Sequence, residues 1–224
     1  MKKVIMFKGG VETLSYFAAQ IGKELKNRGI SVFYYDLKNP FESGKMVRKF
    51  IKTGETSVLT FNFQGLSKEE GLYKEGTGYI WQEYKLACFN IAADHPYYYD
   101  RQLGDLPENY IHISIDKLHE KYFKEYYPEF KSGGFLPLAG SRLNKETELK
   151  KIKEREIDIL FPGNFTPPEF CKKYAYMINE EYAEFYLGII DDLLKHPYKT
   201  VEEVGIDHIV RELGNVAYYD MRKA

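Results

Sequence analysis

VIMFKGGVETLSYFAAQIGKELKNRGISVFYYD, residues 4–36, decides the fold. Val4–Phe7 is a short apolar run that stops at Lys8-Gly9-Gly10. From Glu12 to Arg28 the apolar residues Leu14, Phe17, Ala18, Ile21 and Leu25 return at helical spacing, which predicts an amphipathic helix with one buried face. Lys26 and Arg28 suit the negative end of its dipole, and Gly29 suits the residue just past its end. Ser31–Leu37 is a second β-rich run that closes at the turn signal Asn39-Pro40. A strand, a helix of this length and a strand form a βαβ unit, whose two strands must run parallel.

The pattern continues downstream. SVLTFNFQG (57–65), ACFNIAADHP (87–96) and YIHISID (110–116) are further runs that end in polar clusters, and FLPLAG (135–140) reads as one more short strand and a turn. Met46, Val47, Phe50 and Ile51 predict a short second helix, and another begins near Lys117. The polar, glycine-punctuated segment 67–78 is long for a connection and is expected to form a surface excursion or flap. The charge-dense NKETELKKIKERE (144–156) reads as a solvated helix or linker. IDILF (157–161) predicts a strand. Beyond it the pattern turns helical over 169–195 and 200–213, with Tyr182, Phe185, Tyr186, Ile189, Ile190, Leu193 and Leu194 as apolar anchors. The fold class is therefore α/β: a Rossmann-like doubly wound parallel sheet over 1–150, then a linker strand and a C-terminal helical extension over 151–224.

Composition narrows the function. Formal net charge is −1 across 224 residues, so no broad basic field exists for nucleic acid. No run is long enough to span a membrane, and Lys2-Lys3 precede a strand too short for a signal peptide, so the chain reads as cytoplasmic. Cys88 lies in an apolar run and reads as a buried free thiol, and no CxxC pair occurs. Aromatic residues make up 16%, with 20 Tyr and 15 Phe, often adjacent, as at Tyr34-Tyr35, Tyr97-Tyr98-Tyr99 and Tyr218-Tyr219. Such rings serve core and interface packing, or stack on sugars and bases.

In doubly wound sheets ligands sit outside the carboxyl ends of the strands, which directs attention to four clusters. Lys8, Gly9, Gly10 and Thr13 join the first strand to the first helix. Two glycines permit close backbone approach to a ligand, and a helix N-terminus favours an anion. An unliganded tight turn accounts for them equally well, because GxGxxG would need glycine where Val11 and Leu14 stand. Asp36 could meet a ribose, but without that fingerprint NAD is not assigned. Asn62 and Gln64 carry neutral donors and acceptors suited to sugar hydroxyls, or else cap the loop backbone. Asp94 and His95 end the fourth strand beside Pro96 and Tyr97. A histidine beside a carboxylate there could act as general base on a hydroxyl. Asp94 could equally orient a neighbouring helix or satisfy loop amides, and adjacent strand residues point to opposite faces, so Asp94 and His95 need not touch. Asp116 reads as a helix N-cap before His119, His112 as a satisfied strand histidine, and His196 as a helix end. No H-E-x-x-H, Cys/His cluster, acidic metal loop or GxSxG elbow is present, so no metal or cofactor is expected.

FKGG…ETLSYF, FYYDL, VLTFNFQG, FNIAADHPYYY, YIHISID and FLPLAG together resemble the N-terminal half of bacterial GT-B glycosyltransferase-like proteins, related to the spore-maturation glycosyltransferases. The resemblance spans residues 1 to about 165 as a pattern of strands and loops. It implies an acceptor-binding domain that faces a nucleotide-sugar-binding partner domain across a cleft, with no required metal. It places the Gly9-Gly10 and Asp94-His95 loops on that cleft, with one of Asp94 and His95 as base for a hydroxyl acceptor. No second set of βα units comes after Phe161, so this chain alone is expected not to transfer sugar efficiently. The alternative is a non-catalytic binding or assembly module, with the aromatic helices after residue 169 docking a partner or a second copy. A free-standing nucleotide-binding enzyme is a third reading, disfavoured by the missing glycine fingerprint.

Overall fold

The computed structural model describes residues 2–140, 150–161 and 163–214. The charged stretch 144–149, Tyr218-Tyr219 and the terminal MRKA lie outside the described residues. The chain divides into two compact units, Met1–Ser141 and Arg142–Ala224.

The first unit is an α/β domain. Its elements are β1 (Lys3–Lys8), α1 (Glu12–Asn27), β2 (Ser31–Asp36), α2 (Pro40–Phe50), β3 (Thr56–Phe61), β4 (Tyr73–Lys74), β5 (Gly78–Tyr79), α3 (Ile80–Glu83), β6 (Cys88–Ala92), α4 (Asp100–Leu103), β7 (Tyr110–Ser114), α5 (Lys117–Tyr126) and β8 (Lys131–Phe135). Six strands form one sheet in the order β2-β1-β3-β6-β7-β8, and every pairing is parallel. The chain steps from β1 outward to β2, then crosses back over β1 to β3. That reversal makes the sheet doubly wound, in the Rossmann-like class, with its topological switch point between the carboxyl ends of β1 and β3.

The strands alternate between two cores because β side chains alternate between faces. Val4, Met6, Phe61 and Ile91 pack with Leu14 and Ala18 of α1. Ile5, Phe7, Val58, Cys88 and Tyr110 face the other layer, formed by Val47, Phe63, Leu66, Leu72, Trp81 and Phe123. β1 is buried on both faces, as a central parallel strand must be. α1 closes in a Schellman motif: Gly29 at φ 76° lets its N–H reach Lys26 O while Ile30 N–H reaches Leu25 O.

Several expectations are corrected. The last strand is Lys131–Phe135, and residues 136–140 carry no regular structure. IDILF forms no strand: Ile159 and Phe161 are exposed, with no ladder partner among the described residues. Segment 67–78 is no open flap. It holds the β4–β5 hairpin, and Leu72 and Tyr79 are buried in the core. Trp81 Nε1 donates to Gly65 O at 2.8 Å, and Tyr79 Oη donates to Leu66 O at 2.7 Å. Cys88 is a buried free thiol, and burial pushes its pKa up.

In the second unit the predicted helix 169–195 is two helices, α6 (Pro168–Ile178) and α7 (Glu180–Lys195). Asn179 separates them, its side chain accepting from Tyr182 N–H at 2.7 Å to start α7. α8 (Val201–Leu213) opens with a capping box from Thr200 and Glu203. The close contacts use small residues. Ala175 and Ala183 are buried, while the expected anchors Tyr182, Tyr186 and Leu194 are exposed. Gly188 lies against the His208 ring. Asp192 Oδ2 stands 2.9 Å from His208 Nδ1 and 2.6 Å from Arg211 Nη2, joining α7 to α8.

Packing in each unit carries an expected outcome. A Cβ at Gly65 would overlap the Phe7 ring, and its φ of 78° disfavours any side chain. Gly65→Ala should therefore cost about 3 kcal/mol in urea denaturation followed by Trp81 fluorescence. Phe7→Leu in the same chain should recover part of that loss. In the second unit, Arg211 and then His208 hold the Asp192 carboxyl well below the usual carboxylate range. A carboxyl depressed on folding contributes stability above its unfolded pKa of about 4 and loses that contribution as pH falls through the folded value. Amide resonances of residues 180–213 should therefore show loosening on acidification below pH ~4, and Asp192→Asn should be weaker at neutral pH with a flatter acid response.

Candidate functional site

The carboxyl ends of β2, β1, β3 and β6 lie side by side in that order, so the polar residues that come after them form one row about 15 Å long. At its β2–β1 end, Lys8 Nζ lies 3.4 Å from Asp36 Oδ2. Asp36 Oδ1 accepts from Lys38 N–H at 3.0 Å. That backbone bond, then Lys8, holds the Asp36 carboxyl below its ordinary value. Gly9 is next at φ 87° with Asp36 against the space a Cβ would need, and Gly10 likewise abuts the Gln64 amide and Leu37. Substitution at either glycine would push these neighbours apart, so the glycines admit Asp36 and Gln64 to the strand ends. Thr13 is exposed in the first turn of α1.

The β3 end is built with unusual backbone. Asn62 and Phe63 are successive non-glycine residues at φ 45° and 62°, a conformation that costs on the order of 1 kcal/mol per residue. Side chains hold it in place. Asn90, fully buried in β6, accepts from Phe63 N–H at 3.0 Å, and Thr60 Oγ1 donates to Gln64 O at 2.6 Å. The Glu69 carboxylate accepts from Gly65 N–H at 2.5 Å and Ser67 N–H at 2.8 Å. Burial nevertheless raises its pKa. The turn displays Asn62 and Gln64 outward while its amides are satisfied internally.

Asn62 then joins β3 to β6. Its Oδ1 accepts from Ala93 N–H at 2.7 Å, and its Nδ2 donates to Asp94 Oδ2 at 3.0 Å. Tyr99 Oη donates to the same Asp94 oxygen at 2.8 Å. Burial, and then Asp94, push the Tyr99 pKa up. Both bonds engage Oδ2, and Asp94 as a residue is exposed. Asp94 and His95 are turned to different partners. His95 caps the 3₁₀ turn Pro96–Tyr99, with Nδ1 accepting from Tyr97 N–H at 3.2 Å. Its ring lies against His119 and Tyr122, at 4.8 and 4.5 Å between centroids. Tyr97 and Tyr98 project outward at 68% and 73% exposure. The two rings meet each other edge-on at 6.1 Å.

The structure thus brings together Lys8 and Gly9 with Asp36 at the β2–β1 end, Gly10 with Gln64 at the switch point, and Asn62 with Asp94 beside it. Tyr99 and Asn90 belong to the same assembly and are not singled out by sequence reasoning. Tyr99 is hidden within a tyrosine triplet. Asn90 leaves a legible sign, a lone amide in the apolar run ACFNIAA. Asp116 caps α5, accepting from Leu118 N–H at 2.7 Å. His196 ends α7. Among the described residues, no group of three or more His, Cys, Asp or Glu is placed to hold a metal ion, and no helix is long and apolar enough to cross a membrane.

No family model, curated protein or solved structure matches the chain. The site must therefore be read from its own chemistry, as an α/β carboxyl-edge site with an oriented carboxylate, neutral amides and exposed phenol rings.

Asn62→Ala removes two hydrogen bonds and places alanine in the left-handed region, which should cost about 2–4 kcal/mol. Asn62→Gly loses the same bonds without the conformational penalty, and should be less destabilised by about 1 kcal/mol in urea denaturation. Equal losses would show that φ at this turn carries no strain.

Proposed function

We propose that the carboxyl edge of the sheet binds a polyhydroxylated ligand of the saccharide class, and that the chain supplies the acceptor side of glycosyl transfer from a nucleotide-sugar donor. The supporting observation is Asp94, whose Oδ2 is held by Asn62 and Tyr99 at 3.0 and 2.8 Å while the residue remains exposed. A carboxylate fixed through one oxygen presents the other in a defined direction, as a general base for a hydroxyl requires. Asn62 and Gln64 offer paired donors and acceptors, and Tyr97 and Tyr98 offer ring faces for the C–H surface of a sugar.

In this reading, the acceptor hydroxyl passes its proton to Asp94 Oδ1 as its oxygen bonds to the anomeric carbon of the donor. The bond from that carbon to the nucleoside diphosphate breaks, and the diphosphate leaves with the electron pair. Asp94 is the base here, because His95 Nδ1 is already engaged by Tyr97 N–H. Gly10 and Gln64 border the ligand at the switch point, where doubly wound sheets receive their ligands, and Lys8 stands beyond them at the β2–β1 end.

Saturation-transfer NMR of the full chain against mono- and disaccharides and nucleotide sugars tests the reading. A saccharide should receive saturation, and Tyr97→Ala and Gln64→Ala should each weaken it about three- to tenfold, the value of one stacked ring or one hydrogen bond. Asp94→Asn should keep binding and abolish any transfer. Absence of saturation transfer to every saccharide, or affinities unmoved by both alanine variants, refutes saccharide binding at this edge.

A second reading, an assembly module, is favoured by α6. Phe170, Tyr174 and Met177 recur at helical spacing, with 48%, 59% and 69% exposure, an apolar stripe of the kind that meets a partner or a second copy. Tyr174→Glu would disrupt that role and leave saccharide binding unchanged.

A further inference from the structure

Beneath α5 runs a hydrogen-bond chain whose polarity is set at its first link. Phe63 N–H can only donate, and it donates to Asn90 Oδ1 at 3.0 Å, which fixes the orientation of that amide. Asn90 Nδ2 therefore donates to Tyr110 Oη at 3.1 Å. The Tyr110 hydroxyl, having accepted there, directs its own proton to His112 Nδ1, 2.7 Å away. With Nδ1 an acceptor, the neutral imidazole carries its proton on Nε2. Neutrality is the rule at this depth, since burial, with His119 nearby, lowers the His112 pKa to about 3. The chain thus ends in an Nε2–H donor that has no partner among the described residues, on a side chain with no exposed surface.

Three more buried polar atoms among the described residues are in the same condition, Asn109 Oδ1, Ser114 Oγ and His119 Nδ1, and the last two belong to the same pair of elements as His112. Their placement results from the packing of α5 on β7. The His112 ring stacks on Phe123 of α5, 3.8 Å between centroids and nearly coplanar at 6°. Ser114 is two residues further along the same face of β7. His119 is one turn before Phe123 on the same face of α5. The crossover helix runs antiparallel to its strands, so one turn back along α5 and two residues forward along β7 reach the same level. Ser114 and His119 therefore oppose one another beside His112, at the carboxyl end of β7. The outer wall is His95, whose ring meets that of His119 edge-on at 4.8 Å.

We propose that β7 and α5 hold one hydroxyl-class oxygen, from water or from a ligand, between His112 Nε2, Ser114 Oγ and His119 Nδ1, directly behind His95. Such an oxygen accepts from His112 Nε2–H and donates to His119 Nδ1, with Ser114 Oγ free to rotate into either role. Three partners are what a buried oxygen ordinarily takes. A carboxylate or phosphate would bring its charge into this buried recess, against which the unpartnered Ser114 hydroxyl and one imidazole N–H compensate poorly. The water form stands whether or not the edge binds saccharides. The ligand form rests on the saccharide reading and makes this recess the hydroxyl anchor at the inner end of that site.

The test is long-range ¹H–¹⁵N correlation on the ¹⁵N-histidine-labelled full chain, its five histidines assigned by single substitution. His112 should appear as the neutral Nε2–H tautomer, with a proton protected from exchange and a cross-relaxation signal from water. Glycerol serves as a small polyol probe. A water signal that persists with glycerol identifies held water, whereas its replacement by a contact to glycerol CH protons identifies a ligand hydroxyl. Ser114→Ala should shift the ring nitrogens of both His112 and His119, and Ser114→Thr, which keeps the hydroxyl, should restore them. The proposal is overturned by an Nδ1–H tautomer at His112, or by an Nε2–H that contacts neither water nor glycerol. Unmoved nitrogens in a folded Ser114→Ala chain would also overturn it.

Discussion

One buried amide, Asn90, is the constraint on which the carboxyl edge depends. Its oxygen holds the left-handed turn after β3, and its nitrogen starts the chain through Tyr110 to His112. A polar side chain buried at the middle of a parallel sheet is costly unless every donor and acceptor is matched. Here the matching itself creates the site. The turn cannot relax without stranding the amide, and the amide cannot flip without opposing two donors, Phe63 N–H and its own Nδ2. The strain at Asn62 and Phe63 is thus sustained by a core interaction rather than by the loop that displays it.

The remainder of the edge inherits that geometry. With the turn fixed, Asn62 spans from β3 to β6 and pins Asp94 in company with Tyr99, while Gln64 settles against Gly10 at the switch point. Rigid strands therefore position side chains that stand on loops, an arrangement suited to binding without a large reorganisation cost. The Glu69, Tyr79 and Trp81 bonds to residues 65–67 brace the same turn from the other side. The two faces of the sheet are consequently unequal: α1 supplies a plain apolar layer, whereas the opposite layer interleaves its apolar packing with this polar frame.

Much of this is legible from residue order. Strand positions β1, β2, β3, β6 and β7, the helix α1 with its Gly29 terminus, and the Asp116 cap all come from periodicity and capping chemistry, because those signals are local. The two strand errors share one cause. IDILF has the composition of a strand but finds no ladder partner among the described residues, and KSGGF lacks that composition but pairs with β7 through its backbone. Strand formation is a property of the pair, and sequence reports only one member. Segment 67–78 looks detached because its glycines are conspicuous, while Leu72 and Tyr79, which anchor it, are few.

The amino-acid sequence by itself determined the parallel α/β class and the placement of polar clusters at strand ends, since both arise from short-range periodicity and from chain connectivity. It also supplied Asp94, His95, Asn62 and Gln64 as candidates. Only the tertiary structure decided how they are used: Asp94 with Asn62 and Tyr99, His95 with Tyr97 and His119, and a buried line from Phe63 to His112 that no spacing announces. The physical reason is that hydrogen-bond partnership depends on which strands become neighbours and on the rotation of each side chain. Residues 62, 94 and 99, or 63, 90, 110 and 112, meet only when the sheet has assembled.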